Sequence, residues 1–216
     1  MWTLAFDTTT NFCSVALFEN KVQKEIFVRE MTFGQSEVLI PTIQTLLEAQ
    51  KITMQDVGLI VVCTGPGSFT GVRSSVAVAR AFSIACPNAK VCGVNAFEVY
   101  LKELKEKSEV CAVIVETKRD DFYVCFYGAD GLPLRAPECL TKEEILAVLK
   151  NKKVSLAGDG ISRFLEEPAD LNICEKSSSK MPDVALLALT GLEKYEQKTV
   201  VFPQPLYLKA ADVCVK

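Results

Sequence analysis

Short apolar blocks separated by polar turns dominate the first hundred residues. β-Branched and aromatic residues fill these blocks, and the pattern predicts five strands. The predicted strands are 2–6, 13–18, 22–28, 59–62 and 91–94. Apolar residues recur at helical spacing in 37–51 and 72–85, which lie between the third, fourth and fifth strands. Three strands, a helix, a strand, a helix and a strand together predict one α/β unit.

The second half of the chain carries a weaker version of this pattern. The predicted strands are 111–115, 122–127 and 154–157, and the predicted helices are 97–107, 142–150 and 182–195. Thr141 and Glu144 have the spacing of a capping box, and Pro182 suits the first turn of a helix. Three serines and a lysine in 177–180 predict a flexible link.

A glycine-rich loop joins the fourth strand to the second helix, with the sequence Thr64-Gly-Pro-Gly-Ser-Phe-Thr-Gly-Val-Arg73. Ser68 and Thr70 are candidate N-caps for the helix. Exposed amides at such a helix start bind anions, so the loop is either a phosphate site or a structural connection. It is not a Walker loop, because Val72-Arg73 stands where Lys-Ser/Thr is required. It is not a dinucleotide-binding fingerprint either, because no glycine follows Gly65-x-Gly67 at the third spacing.

The helix after this loop has little polar surface. Arg73 and Arg80 share one narrow stripe, and apolar residues spread around most of the remaining circumference. A helix that is apolar nearly all round is expected to be covered nearly all round. Since its own sheet covers one side, the pattern predicts a second layer of this chain or a partner on another.

Composition excludes several classes of protein. The formal net charge is −3 from 24 basic and 27 acidic residues, so a strongly basic nucleic-acid footprint is missing. The chain has no histidine, which removes His-based triads and His metal ligands. No apolar run approaches the ~20 residues of a membrane span. Nine cysteines occur without a C-x-x-C pair, at 13, 63, 86, 92, 111, 125, 139, 174 and 214. This usage predicts reduced thiols and a cytoplasmic location.

The sequence from Thr64 to Arg73 resembles the signature of the TsaB (YeaZ) family, a subunit of the bacterial machinery that makes threonylcarbamoyladenosine in tRNA. Two further segments are similar to the family: Ser36-Glu-x-Leu-x-Pro-x-Ile43, and Pro205-x-Tyr-Leu-Lys209 with Lys for the usual Arg. The resemblance implies an α/β, actin/sugar-kinase-like (ASKHA) fold with two related subdomains. We place them at 1–100, with the glycine-rich loop, and at 101–216, a degenerate second copy.

The resemblance also implies a role. Such a chain is a non-catalytic subunit that activates TsaD, with the ATPase TsaE, for threonylcarbamoyl transfer to the adenosine next to the anticodon of tRNAs reading ANN codons. TsaC makes the donor, the complex uses ATP and Mg²⁺, and tRNA is met only through the complex. No cofactor, metal or membrane is expected for this chain alone. A homodimer is expected when TsaD is absent.

Two sets of site residues follow from the resemblance. The helices 36–50 and 71–85 are expected to pack on TsaD or on a second copy, with Val72, Val76 and Ala79 supplying burial and the arginines orientation. The expected interface residues are Ser36, Glu37, Pro41, Val72, Arg73, Val76, Ala79 and Arg80. The candidate remnants of phosphate loops are Asp7, Thr8, Thr9, Gly65, Gly67 and Gly71. The competing interpretation of Asp7 is a carboxylate that caps its own turn.

Alternative functions stay open at this point. An ATP-dependent, kinase-like phosphotransferase would use Asp7 and the glycine-rich loop. A peptidase is disfavoured by the missing histidine, although a Ser-Lys dyad is not strictly excluded. A self-associating structural dimer is the third alternative.

Overall fold

A computed structural model describes residues 1–167 and 169–209, and the chain divides into two units. The first unit consists of Met1–Val99 and Met181–Pro205. The second consists of Tyr100–Lys180 and the described residues from Leu206 onward. Cys214 is outside the described residues.

This division differs from the one expected from the sequence. The boundary near residue 100 agrees, but residues 181–205 return to the first unit instead of staying with 101–180. They return because the last of the described helices packs on the first sheet. A hydrophobic helix shows its pattern in the sequence but not which sheet it covers.

The first unit contains a five-stranded mixed sheet. Its strands are β1 (Trp2–Asp7), β2 (Phe12–Glu19), β3 (Val22–Glu30), β4 (Val57–Cys63) and β5 (Lys90–Val94). Their order is β3-β2-β1-β4-β5, with β1 antiparallel to β2 and parallel to β4. A short 3-10 helix, Met54–Asp56, leads into β4. All five strands predicted from the sequence are confirmed, each extended by one or two residues at one or both ends.

The second unit repeats this topology. Its strands are β6 (Val110–Glu116), β7 (Asp121–Gly128), β8 (Glu138–Thr141), β9 (Lys153–Ala157) and β10 (Asn172–Ser177). They lie in the order β10-β9-β6-β7-β8, so β6 takes the place of β1, and β9 that of β4. The sequence did not predict β8, which has four residues, or β10, and neither strand contains a fully buried residue.

The chain has six α-helices in its described residues. In chain order they are α1 (Gln35–Ala49), α2 (Phe69–Ala85), α3 (Ala96–Leu101), α4 (Lys142–Leu149), α5 (Ile161–Phe164) and α6 (Val184–Glu196). The helix predicted at 97–107 ends already at Leu101. The capping box of Thr141 and Glu144 is confirmed at the start of α4. Within these described helices, none has the length and apolar character needed to cross a membrane.

Helices cover both faces of the first sheet. α1 and α2 lie on one face, where Leu39, Ile43 and Ala79 share a buried cluster with Ile60 and Val62 of β4. Side chains alternate along a strand, so the intervening Val61 points to the opposite face. There α6 packs with Gly191 directly against Val61.

The two helices that share a face of the first sheet, α1 and α2, start differently. Ser68 caps α2 as predicted, since its Oγ accepts a hydrogen bond from the amide of Gly71 at 3.4 Å. α1 begins one residue before the expected Ser36, and its N-cap is Gly34 in a left-handed conformation with φ of 85°. A residue with a Cβ is disfavoured at this torsion.

The segment after α6 covers the free edge of β5. The amide of Gly93 donates to the carbonyl of Val201 at 2.8 Å. The guanidinium of Arg80 donates twice to the carbonyl of Pro203, at 3.1 and 2.9 Å, and lies over the ring of Phe202. This extended segment therefore fastens α2 and β5 together.

We predict that Gly191→Ala destabilises the protein by about 1–3 kcal/mol, because a Cβ there would overlap both methyl groups of Val61. In an ordinary helix interior the same change would stabilise by roughly 1 kcal/mol. Urea unfolding of both proteins measures the difference. A gain in the free energy of unfolding would contradict the packing of α6 on β4.

Candidate functional site

The glycine-rich loop is fixed at both ends by backbone hydrogen bonds. The amide of Thr64 donates to the carbonyl of Val94 at 2.9 Å, and the amide of Ala96 donates to the carbonyl of Gly65 at 2.7 Å. Gly65 has a φ of 87°, and its peptide bond to Pro66 is cis. The loop is therefore tied to the end of β5 and the start of α3.

The middle of the loop packs on the turn after β1. The amide of Ser68 donates to the carbonyl of Thr9, and the hydroxyl of Thr8 donates to the carbonyl of Gly71, both at 2.7 Å. A Cβ on Gly67 would overlap the carbonyl oxygen of Thr9, and one on Gly71 that of Thr8. These two glycines permit a contact between two stretches of this chain's own backbone. The structure thus brings Thr8, Thr9, Gly67 and Gly71 into contact with one another.

Asp7 lies beneath this contact and has 1% of its surface exposed. Its Oδ1 accepts a hydrogen bond from the amide of Thr9 at 2.8 Å, which is the turn-capping role. Burial raises the pKa of Asp7 from its ordinary value of 3.8 to about 6, against the opposing effect of hydrogen bonds from Thr9, Cys63 and Thr8. Thr8 and Thr9 are also at most 1% exposed, so these three side chains present almost no surface at which a metal ion or a phosphate could bind.

The outer side of α1 carries three of the predicted interface residues. Ser36, Glu37 and Pro41 are all exposed, and Ile40 beside them is 44% exposed. α1 contacts α2, so the outer sides of the two helices are neighbours. We refer to the exposed residues of these two helices as the α1–α2 surface.

The α2 part of the predicted interface needs a correction. Val72, Val76 and Ala79 are 2%, 3% and 0% exposed because they face the chain's own sheet. They are therefore not available to supply burial against a partner. The exposed residues of α2 instead include Arg73, Ala77, Ala81, Ile84 and Ala85, with Ile84 83% exposed.

The two arginines of α2 have different surroundings. The guanidinium of Arg73 stacks on the ring of Phe69 at 3.8 Å from its centre, on the outer side of the helix. Arg80 is engaged by the carbonyl of Pro203, so its hydrogen bonds serve the fold of the first unit and not the orientation of a partner. The sequence pattern placed both on one stripe but did not reveal this contact across 123 positions.

The second unit has a counterpart of this site with different chemistry. Glu116 ends β6 as Asp7 ends β1, and Gly158 and Gly160 after β9 approach the carbonyl of Ile114 closely. The guanidinium of Arg163 binds both carboxylate oxygens of Glu116 at 2.8 Å. Burial by itself would raise the pKa of Glu116, but these hydrogen bonds hold it below its usual value. No sequence motif pointed to Arg163, which lies 47 positions away.

Comparison with known proteins places these features in a family. A family model described as TsaD, tRNA N6-adenosine threonylcarbamoyltransferase, matches residues 34–211. A protein of Buchnera aphidicola subsp. Schizaphis graminum (strain Sg) named tRNA threonylcarbamoyladenosine biosynthesis protein TsaB is 29% identical over 176 residues, 76% of this chain and 81% of that protein.

Solved structures show the fold. YeaZ from Pseudomonas aeruginosa superposes with a TM-score of 0.79 at 24% identity, covering 96% of this chain and 99% of that one. The ROK hexokinase from Thermus thermophilus gives a TM-score of 0.52 at 13% identity, covering 90% of this chain and all of that one. The fold is actin/sugar-kinase-like, as expected.

We predict that Asp7→Asn raises stability at neutral and alkaline pH. The native state binds the Asp7 proton more tightly than the unfolded chain, so ionisation costs stability as pH rises from about 4 through about 6. A shift of this size corresponds to about 3 kcal/mol at most. Asparagine keeps the oxygen that accepts from Thr9 but carries no charge.

Urea unfolding of the variant and the original chain at about pH 8 and about pH 4 tests this prediction. The advantage of the variant should be present at the higher pH and nearly absent at the lower one. A variant that is less stable at about pH 8 would show that the ionised carboxylate is favourably solvated in the folded chain.

Proposed function

The chain belongs to the family described as TsaD, tRNA N6-adenosine threonylcarbamoyltransferase, within which it is a member of the TsaB (YeaZ) group, and from this premise we propose that it is the non-catalytic subunit that binds and activates TsaD. The pathway is threonylcarbamoyladenosine biosynthesis in tRNA, as the names of the relatives state. In this proposal TsaE joins the pair, tRNA is met through the complex, and the assembly works in the cytoplasm.

The observation that carries the non-catalytic role is the closed turn at Asp7. An enzyme of this fold that handles a nucleotide needs a carboxylate and backbone amides open to phosphate and Mg²⁺. Here Asp7 is buried, its oxygen is taken by the amide of Thr9, and the backbone of Gly67 and Gly71 occupies the space above the turn. The same contact holds α2 in place, so in this proposal the glycine-rich loop positions the exposed side of α2.

The α1–α2 surface is the part of the first unit best suited to a partner. Alanines at 77, 81 and 85 recur at spacings of four along the outer side of α2, so another helix can approach this side closely. Ile84 and Ile40 are large apolar side chains left 83% and 44% exposed. Apolar residues bordered by charged ones, here Arg73 and Glu37, are typical of protein–protein interfaces.

Reconstitution tests the role. The chain is mixed with TsaD, TsaE and TsaC of the same organism, tRNA, ATP, threonine and bicarbonate, and the modified nucleoside is measured with and without the chain. We expect modification to require it, and Asp7→Asn to support modification as well as the original does. Mg²⁺-dependent nucleotide turnover by the chain alone, abolished by Asp7→Asn, would instead establish a phosphotransferase.

We predict that Ala81→Glu weakens binding to TsaD by about tenfold or more, because it places a charge in the middle of the proposed contact. Ala147→Glu is the matched control, since Ala147 is an exposed alanine of α4 in the second unit. Affinity is measured by titration calorimetry, and circular dichroism checks that both variants fold. Equal affinities for the two variants would show that the α1–α2 surface is not part of the interface. Val76→Glu is unsuited to this test, because a buried charge at that position would unfold the first unit.

A further inference from the structure

The segment that covers the free edge of β5 also reaches α2. We call residues 200–203 of this segment the strap. The amide of Gly93 donates to the carbonyl of Val201 at 2.8 Å, and the carbonyl of Pro203 accepts two hydrogen bonds from the guanidinium of Arg80. Pro203 itself is buried. The backbone of the strap is therefore held by β5 and by α2 together.

Within the strap, Phe202 has a large apolar side chain that is not needed for these contacts. It is 49% exposed, and the guanidinium of Arg80 lies 5.7 Å from the centre of its ring. The hydrogen bond that covers the edge of β5 uses only the carbonyl of Val201. Coverage of the sheet edge therefore does not explain an exposed aromatic ring at position 202.

Phe202 and Ile84 are both close to Arg80. Residues four apart on a helix are neighbours on its surface, so Ile84 lies one turn from Arg80 on α2. Ile84 is 83% exposed. The arginine contacts one of these apolar side chains and neighbours the other, and we call Phe202 and Ile84 the strap patch. Two large apolar side chains from distant parts of the sequence are thus exposed beside one arginine.

The strap patch continues the α1–α2 surface on the side of α2 that is away from α1. Val78 and Phe82 of α2 pack against the buried cluster to which α1 contributes. A helix turns by about 100° per residue, so Val78 and Arg80 lie ~160° apart around α2. The exposed alanines at 77, 81 and 85 lie between these two sides. The exposed surface of the first unit therefore runs from α1 across the alanines to Phe202.

A surface of this shape suits a helix of a partner. The small side chains along its middle allow a second helix to approach, while Ile84 and Phe202 provide larger side chains along one border. Because the backbone at Phe202 is already fixed by the strap, little conformational freedom is lost when a partner covers the ring. The side chain that covers this border is expected to be large and apolar, such as leucine or phenylalanine.

We propose that Phe202 is part of the surface that binds TsaD, and that Arg80 is a positioning residue that holds Phe202 in place. The proposal rests on the function proposed above, since TsaD is the partner. A large apolar side chain on a helix of TsaD packs against Phe202 and Ile84, so the strap adds an aromatic anchor to the interface. Arg80 acts through Phe202 and does not itself bind TsaD.

Substitutions of Phe202 test the contact. Phe202→Ala should weaken binding to TsaD by about tenfold, because it removes an aromatic anchor from the interface. Phe202→Leu keeps a large apolar side chain and should bind within about threefold of the original chain. Leu132→Ala is the control, since Leu132 is an apolar residue of the second unit that is 64% exposed, and it should leave the affinity unchanged. Titration calorimetry of the full-length proteins measures affinity, and urea unfolding checks that each variant folds.

A double-mutant cycle tests the role of Arg80. Arg80→Ala should weaken binding to TsaD, but it should weaken it little further when Phe202 is already alanine, because both changes act through the same ring. Arg80→Lys keeps the charge but loses the planar fork that holds the carbonyl of Pro203, and it should show the same dependence on Phe202. If the losses multiplied in the double variants, Arg80 would bind TsaD by itself, and its positioning role would be overturned.

The outcomes separate this proposal from the proposed function. Loss of affinity in Phe202→Ala, with affinity retained in Phe202→Leu and Leu132→Ala, would support the contact. If Ala81→Glu weakens binding but Phe202→Ala binds TsaD as the original chain does, the strap lies outside the interface and only this proposal is wrong. If TsaD does not bind the original chain, both proposals are wrong.

Discussion

The first unit depends on one close contact between backbones, where the glycine-rich loop lies on the turn after β1. Gly67 and Gly71 have no room for a Cβ against the carbonyl groups of Thr9 and Thr8. Two hydrogen bonds of 2.7 Å lock the two segments together. Because α2 begins within this contact, the two glycines determine where the helix lies on the sheet. They therefore also determine which of its residues face away from the sheet.

The sequence predicted what local pattern controls. Alternating and continuous apolar blocks gave the first five strands, and the hydroxyl of Ser68 gave the start of α2. It did not predict which side of α2 faces away from the sheet, because valine and alanine recur around the whole helix. Val76 is buried and Ala77 is exposed, and only contact with the sheet distinguishes them. It also missed contacts between distant segments, such as Arg163 with Glu116.

The two units share one topology, but the carboxylate at the end of the central strand has different surroundings in each. In the first unit, burial raises the pKa of Asp7, and its oxygen caps a turn. In the second, Glu116 is held as an anion by Arg163, which also stacks on the ring of Phe122 at 3.8 Å. In both, glycines after the fourth strand of the topology allow a backbone contact. The shared feature is thus the packing of the loop, and the polar chemistry has diverged around it.

The return of residues 181–205 to the first unit has a consequence for synthesis on the ribosome. The face of the first sheet that carries Val61 is covered by α6, which is synthesised only after Tyr100–Lys180, the larger segment of the second unit. Until then the nascent chain contains a sheet with one apolar face exposed to solvent. Exposed apolar surface of this kind binds chaperones and promotes aggregation. Residues 100–180 are therefore synthesised before the first unit is complete, and the docking of α6 on the first sheet depends on contacts between segments distant in sequence, which form slowly.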